Sequence, residues 1–367
     1  MYNSGVMLRI INLVFYILVV PFTFGLVYNS ILGAKEYVML EIWSKGWAFM
    51  LAFFSFIYWL CSVFGVEWHE DIWEVLSLAV TFLAIAAMAI AIIIRKRKGI
   101  SNKLSLVRGD LFPVYIMVII LFVLSIVLLR TPDYDHHMEQ YIRVYNAETI
   151  GSGADMTEDM LLELKDTLFT CDMYVFYLSV NKLIKMGADK FLTVVMAFPM
   201  LLLSITCYDF IGERLNVDRK RRYVFLMLIY AVYIVTVFCA EYHLYAIYNY
   251  LWEPVTAYVT IFLPFQLGMM MYVENTVVQW STPWEEFTRP LKPKGSDEPD
   301  ESFSKGIYPE DKHRLSTCVI WTVVAFFIGY MFPWKEWLII LAPEISGVAI
   351  GVVRRIIKGG TEHGAFS

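Results

Sequence analysis

The stretch "FPVYIMVIILFVLSIVLLRTPDYDHHME" (112–139) joins two chemistries. Residues 112–129 carry no charge, and an α-helix needs ~20 such residues to cross the hydrocarbon core of a bilayer. Asp133, Asp135, His136, His137 and Glu139 then fall within seven residues. Acids at that density are not carried into lipid, so a membrane boundary lies near Arg130.

Eight further stretches are of similar length and apolarity: about 7–32, 46–65, 74–94, 189–210, 223–241, 251–273, 315–332 and 337–353. In the last two, Pro333 and Trp334 make a very tight turn, and Glu344 interrupts the final run. The 367 residues are 58% hydrophobic and only 18% charged, with a mean hydropathy of +0.57, whereas soluble domains carry about a quarter charged residues. The expected fold is an all-α polytopic integral membrane protein of about nine transmembrane helices, with an outer-face helical loop at 131–188. Pro21, Pro199, Pro254, Pro264 and Pro343 fall inside spans. A kink there is tolerated if a neighbouring group satisfies the freed carbonyl.

Orientation follows from Lys and Arg near the spans. "RKRKGISNKLSLVR" (95–108) holds six basic residues and no acid, and "ERLNVDRKRR" (213–222) holds five. Arg354, Arg355 and Lys358 follow the last span. A nine-span layout puts all three regions on the cytoplasmic side, where they can also touch anionic lipid heads. Segment 131–171, with nine acids against Arg143 and Lys165, then lies outside, as does "VEWHEDIW" (66–73). The N-terminus is expected outside and the C-terminus inside, and no cleavable signal peptide is read at the start.

The division expected is a three-helix membrane region at 1–110, a membrane core at 111–275 carrying the outer loop, a linker at 276–314, and a membrane hairpin with a basic tail at 315–367. The linker contains "RPLKPKGSDEPDESFSKG", a flexible composition suited to a cytoplasmic protein partner. Within the outer loop, "MTEDMLLELKDTLF" (156–169) and "DMYVFYLSVNKLIKMG" (172–187) read as helices, the second dipping towards the bilayer. A net charge of −5 with no dominant basic face argues against nucleic acid. Of the five cysteines, Cys61, Cys207, Cys239 and Cys318 lie in apolar runs as small hydrophobes, at no metal-ligand spacing. No internal repeat, Gly-rich phosphate loop, dinucleotide fingerprint or serine-hydrolase elbow is visible.

If a helix begins near Pro132, Asp135 and Glu139 share a face, and His136 meets Glu139 three residues on. A carboxylate here can take a proton from an acceptor hydroxyl. Asp135, Glu139 and His136 can instead hold Mg²⁺ or Mn²⁺, hard ions suited to carboxylate and water. The plainer alternative is an ordinary acidic helix start at the outer surface, with Asp133 capping free N–H groups. Adjacent histidines point about 100° apart, so His136 and His137 do not readily share a zinc ion. Arg143 can clamp a phosphate or pair with Glu139 on its own helix face.

These residues resemble the first outer loop of GT-C-type membrane glycosyltransferases. More closely, the chain resembles an uncharacterised bacterial multi-spanning membrane protein family with a GT-C-like core. That family carries an acidic "DD…Y" loop, here Asp133, Asp135 and Tyr141, then a "T…G" stretch, here Thr149 and Gly151, then a proline-bearing span, here Pro199 in "AFPMLLLS". The similarity covers about residues 75–275. In "YNYLWEPVTAYVTIFLPF" (248–265), Trp252 fits the family pattern, but Glu253 and Pro254 stand where Gly and Lys are expected. A phosphate-binding role for that span is therefore not carried over. The chain is also short for the family, reading as without a large C-terminal outer domain.

The resemblance implies sugar transfer from a polyprenyl-phosphate donor at the outer face of a bacterial cytoplasmic membrane. Asp133 or Asp135 would be the base or metal ligand, and Arg143, Glu139, Tyr141 and Trp252 would contact substrate. Trp252 and the neighbouring tyrosines equally suit an interfacial aromatic belt. Glu253 and Glu344 are acids in or near spans, hence functional candidates by default. Glu253 can simply meet interfacial water. Glu344 would lie deeper, where it could carry protons. Two other classes stay open: a non-catalytic subunit or scaffold of an envelope complex, and a small-solute or proton-coupled transporter. A transferase calls for a lateral groove beside Asp133 and Asp135, a transporter for a mid-membrane cavity at Glu344.

Overall fold

A computed structural model of the protein describes residues 2–32, 37–64, 70–98, 104–105, 111–128, 172–184, 186–215, 217, 219–237, 251, 253–278, 314–332 and 337–364. These residues are almost entirely helical. In lipid every backbone N–H and C=O must be satisfied within its own segment, which favours helix even for runs rich in valine and isoleucine.

In chain order, α1 runs as Tyr2–Val14, a π turn over Phe15–Val19, and Val20–Leu32. Next come α2 (Met39–Val63), α3 (Glu70–Lys98) and α4 (Phe112–Leu128). A short helix, α5 (Asp172–Ile184), precedes α6, which comprises Ala188–Lys190, a π turn over Phe191–Met196 and Ala197–Arg214. Then follow α7 (Arg219–Val237) and α8, made of Pro254–Ala257, a π turn over Tyr258–Phe262 and Leu263–Val278. The last are α9 (Arg314–Tyr330) and α10 (Trp337–Gly364). The two-residue strands Tyr37–Val38 and Leu104–Ser105 pair in parallel, tying the chain after α1 to the chain after α3.

Each of the nine apolar stretches falls largely on one of these helices. Among the described residues, four segments can cross a membrane by length and composition: Met7–Ile31, Met39–Cys61, Ala79–Arg97 and Phe191–Arg214. Phe112–Val123 and Ser316–Tyr330 are shorter apolar helices. Large apolar side chains stand exposed along α3, α4, α7 and α10, among them Phe82, Ile92, Ile116, Ile120, Val232 and Val353. Surfaces of this kind suit lipid rather than water. Two-thirds (67%) of the α6 span is buried against 22% of the α3 span, so α6 is the central helix and α3 a peripheral one.

Three prolines explain the π turns among the described residues. Pro21, Pro199 and Pro264 each lie two or three residues beyond one. A proline ring crowds the carbonyl four residues back and offers it no N–H, so the preceding turn widens. At Pro21 that carbonyl belongs to Ile17, and the buried Trp43 indole of α2 donates to it at 2.9 Å.

The helices interlock at small residues. Gly25 of α1 lies against the Ile42 backbone, and Gly46 of α2 against the Pro21 backbone. In α10, Gly347 meets the Met270 carbonyl and Gly351 the Glu274 carbonyl of α8. This four-residue spacing of small residues allows close backbone approach in a membrane. The contacts advance together along both chains, so α8 and α10 run parallel with α9 between them in sequence. Phe49–Trp321 and Phe56–Phe327 likewise show α2 and α9 running parallel. Trp321 also donates to Tyr28 Oη at 2.7 Å, bringing α1 into the same contact.

Polar ties gather at the helix ends near the basic runs. Arg222 of α7 pairs with Asp209 of α6 at 3.5 Å, both buried. Arg354 of α10 pairs with Glu274 of α8. The Arg214 guanidinium lies over the rings of Phe210 and Tyr272, at 5.1 and 4.7 Å, a stacking that attracts cations.

Candidate functional site

Asp133, Asp135, His136, His137, Glu139, Tyr141, Arg143 and Trp252 lie outside the described residues, as does most of the 276–314 linker. The described chain stops at Leu128, the end of α4, and resumes at Asp172, the start of α5. Phe122, in the second half of α4, meets Phe198 near the start of α6, with centroids 6.0 Å apart. The Met173 amide donates to the Met331 carbonyl just beyond α9.

α5 is an internal helix. Phe176 and Tyr177 are fully buried, and Phe176 packs edge-on against Trp47 and Phe54 of α2. Ser179 and Tyr58 share a hydrogen bond at 3.0 Å. The turn into α6 is closed by Asn181, which donates to the Met186 carbonyl and accepts from the Met186 amide, each at 3.2 Å. Tyr58→Phe is expected to loosen α5 by ~1 kcal/mol, since it removes one buried hydrogen bond. Hydrogen exchange of the α5 amides reads that directly: protection should fall there and not in α9.

Glu253 precedes Pro254, a residue suited to the first position of a helix. Its Oε2 accepts from Thr256 Oγ1 at 2.9 Å, so it finishes the start of α8 and is only half-buried.

Glu344 is different. It is 5% exposed, and neither carboxyl oxygen accepts a hydrogen bond from another residue among those described. It follows Pro343 in α10. One turn earlier, buried Gln266 of α8 donates from Nε2 to the Ile340 carbonyl at 2.6 Å. One turn later, Gly347 holds α10 against α8. On α9, half-buried Cys318 is close enough to Glu344 to interact electrostatically. Sequence pattern pointed to Glu344 but not to Gln266 or Cys318. An amide inside "FLPFQLGMMM" (262–271) is the signal that was available. Among the described residues, no group of three or more His, Cys, Asp or Glu side chains is placed to hold a metal.

An open apolar concavity of about 530 Å³ runs along Phe112, Pro113, Ile116, Met117, Ile120 and Leu121. It occupies the first half of α4, the end away from Leu128, and so is not beside the segment that continues to Asp133. Compared with known protein families, curated proteins and solved structures, the chain matches none.

Proposed function

We propose that the chain spans a bacterial cytoplasmic membrane nine times, N-terminus outside and C-terminus inside, and transfers a sugar from a polyprenyl-phosphate donor to an acceptor at the outer face. The observation that carries this reading is the anchorage of α5, the helix that follows the acidic segment, between packed helices. The Met173 amide is tied to the Met331 carbonyl beyond α9, and Tyr58 of α2 bonds Ser179. Nine crossings are supported by the parallel pairs α8–α10 and α2–α9, which fit strict alternation of direction.

In this reaction the acceptor oxygen forms a bond to the anomeric carbon as the carbon–phosphate oxygen bond breaks. The polyprenyl phosphate leaves with the electron pair. Asp133 or Asp135 receives the acceptor's proton, and Arg143 faces the phosphate charge. Tyr141 and Trp252 offer ring faces to the sugar. Mg²⁺ or Mn²⁺ held by Asp135, Glu139 and His136 would offset charge on the leaving phosphate.

Asp135→Asn keeps size and removes the base. In membranes supplied with lipid-linked sugar it is expected to lower transfer by about a hundredfold or more, with an unchanged melting temperature. Undiminished turnover of lipid-linked sugar in that variant would remove the proposal.

A further inference from the structure

Glu344 lies about midway along the apolar part of α10, some ~10 Å from the Trp337 end at ~1.5 Å per residue. An ionised carboxylate in that setting needs a cation or several donors, and intramembrane acids without them are strongly disfavoured. No other described residue donates a hydrogen bond to Glu344. Residues 254–278 of α8 contain no Lys, Arg or His, and on α9 the basic residue is Arg314 at its first position, one turn before Cys318. The other titratable groups are Tyr258, Tyr272 and Glu274 on α8, and Cys318 and Tyr330 on α9. On α10 itself the first basic residue is Arg354, roughly 15 Å further along the helix, and it is already paired with Glu274. Gln266 donates one N–H of Nε2 to the Ile340 carbonyl and makes no hydrogen bond to Glu344.

We propose that Glu344 is an exchangeable proton-binding site in the middle of the bundle, where one carboxyl oxygen gains or loses a proton between α8, α9 and α10. With the proton bound, the neutral acid packs among apolar side chains and α10 stays seated through Gly347 and Gly351. With the proton released, the bare carboxylate forces this contact open to admit water or a cation. Proline 343, just before it, already interrupts the hydrogen-bond ladder of α10 and makes the helix pliable there. The site is independent of the sugar-transfer reading, which uses other residues at the end of the bundle.

The test uses the full chain in lipid nanodiscs. Infrared difference spectra against pH should contain the carbonyl stretch of an un-ionised carboxylic acid, fading reversibly as pH rises. Glu344→Gln, similar in shape and uncharged, should lose that band completely. A hydrophobic carbodiimide, which attacks un-ionised carboxyl groups within lipid-bathed proteins, should modify Glu344 in the unaltered protein, as read by peptide mass spectrometry. That second measurement needs no variant to fold. Absence of the band from the unaltered protein, its persistence in Glu344→Gln, or carbodiimide sparing Glu344 would each overturn the proposal. Loss of transfer in Asp135→Asn would leave the band in place, so the two ideas fail separately.

Discussion

Gly46→Ala is expected to cost at least ~3 kcal/mol of stability, the upper end of what overpacking a membrane-protein or soluble core costs. A methyl group at Gly46 lands on the Pro21 carbonyl, and one at Gly25 on the Ile42 carbonyl. Both obstacles are backbone, so no side chain can swing aside and the two helices must part. Parting them also strains the hydrogen bond from Trp43 to the Ile17 carbonyl, which depends on α1 and α2 staying in register. Gly187→Ala is the matched control: nothing lies within 4 Å of a Cβ there and its backbone is ordinary for alanine. Thermal unfolding in detergent should show a large drop in melting temperature for Gly46→Ala and Gly25→Ala, and little for Gly187→Ala. Equal melting temperatures for the three would mean that α1 and α2 do not cross at these glycines.

The second large effect is expected at Asp209. Removing one partner of a buried ion pair leaves the other charge stranded, at a cost of ~3–5 kcal/mol. Asp209→Ala leaves Arg222 with 7% of its surface exposed and without the carboxylate now 3.5 Å away. Replacing both together, by Leu at 209 and Met at 222, should recover most of the loss, because two apolar side chains avoid the desolvation of two charges. A double-mutant cycle on unfolding free energy measures this. Single variants as stable as the parent would show that the pair does not hold α6 to α7.

Much of this fold was legible in the chain because a spanning helix is a one-dimensional property. Lipid demands that each segment satisfy its own backbone, so a long uncharged run such as 112–129 fixes a helix without reference to any neighbour. The prolines were equally readable: Pro21, Pro199 and Pro264 lie inside spans, and the structure answers each with a π turn just before it. What the pattern did not contain was the identity of the group that meets a freed carbonyl. Trp43 lies within an otherwise unexceptional run, "EIWSKGW" (41–47), and only folding brings its indole to Ile17.

The candidate site divides the same way. Glu253 and Glu344 look alike in the sequence, each an acid beside a proline in an apolar stretch. Glu253 is half-exposed and bonded to Thr256, whereas Glu344 is buried with no donor from another described residue. Hydropathy cannot separate them, since it records the side chain and not what stands opposite. The expectation that 172–187 dips towards the bilayer rested on its apolar faces, but the burial of Phe176 against Trp47 and Phe54 follows from packing. The sequence by itself determined where helices form, where prolines disturb them and which segments carry the acids and bases. Tertiary structure alone decided that α6 is central, that glycines mark the crossings, and that Glu344 is buried with no hydrogen bond from another described residue, because lipid-facing and protein-facing residues are equally apolar and only contact tells them apart.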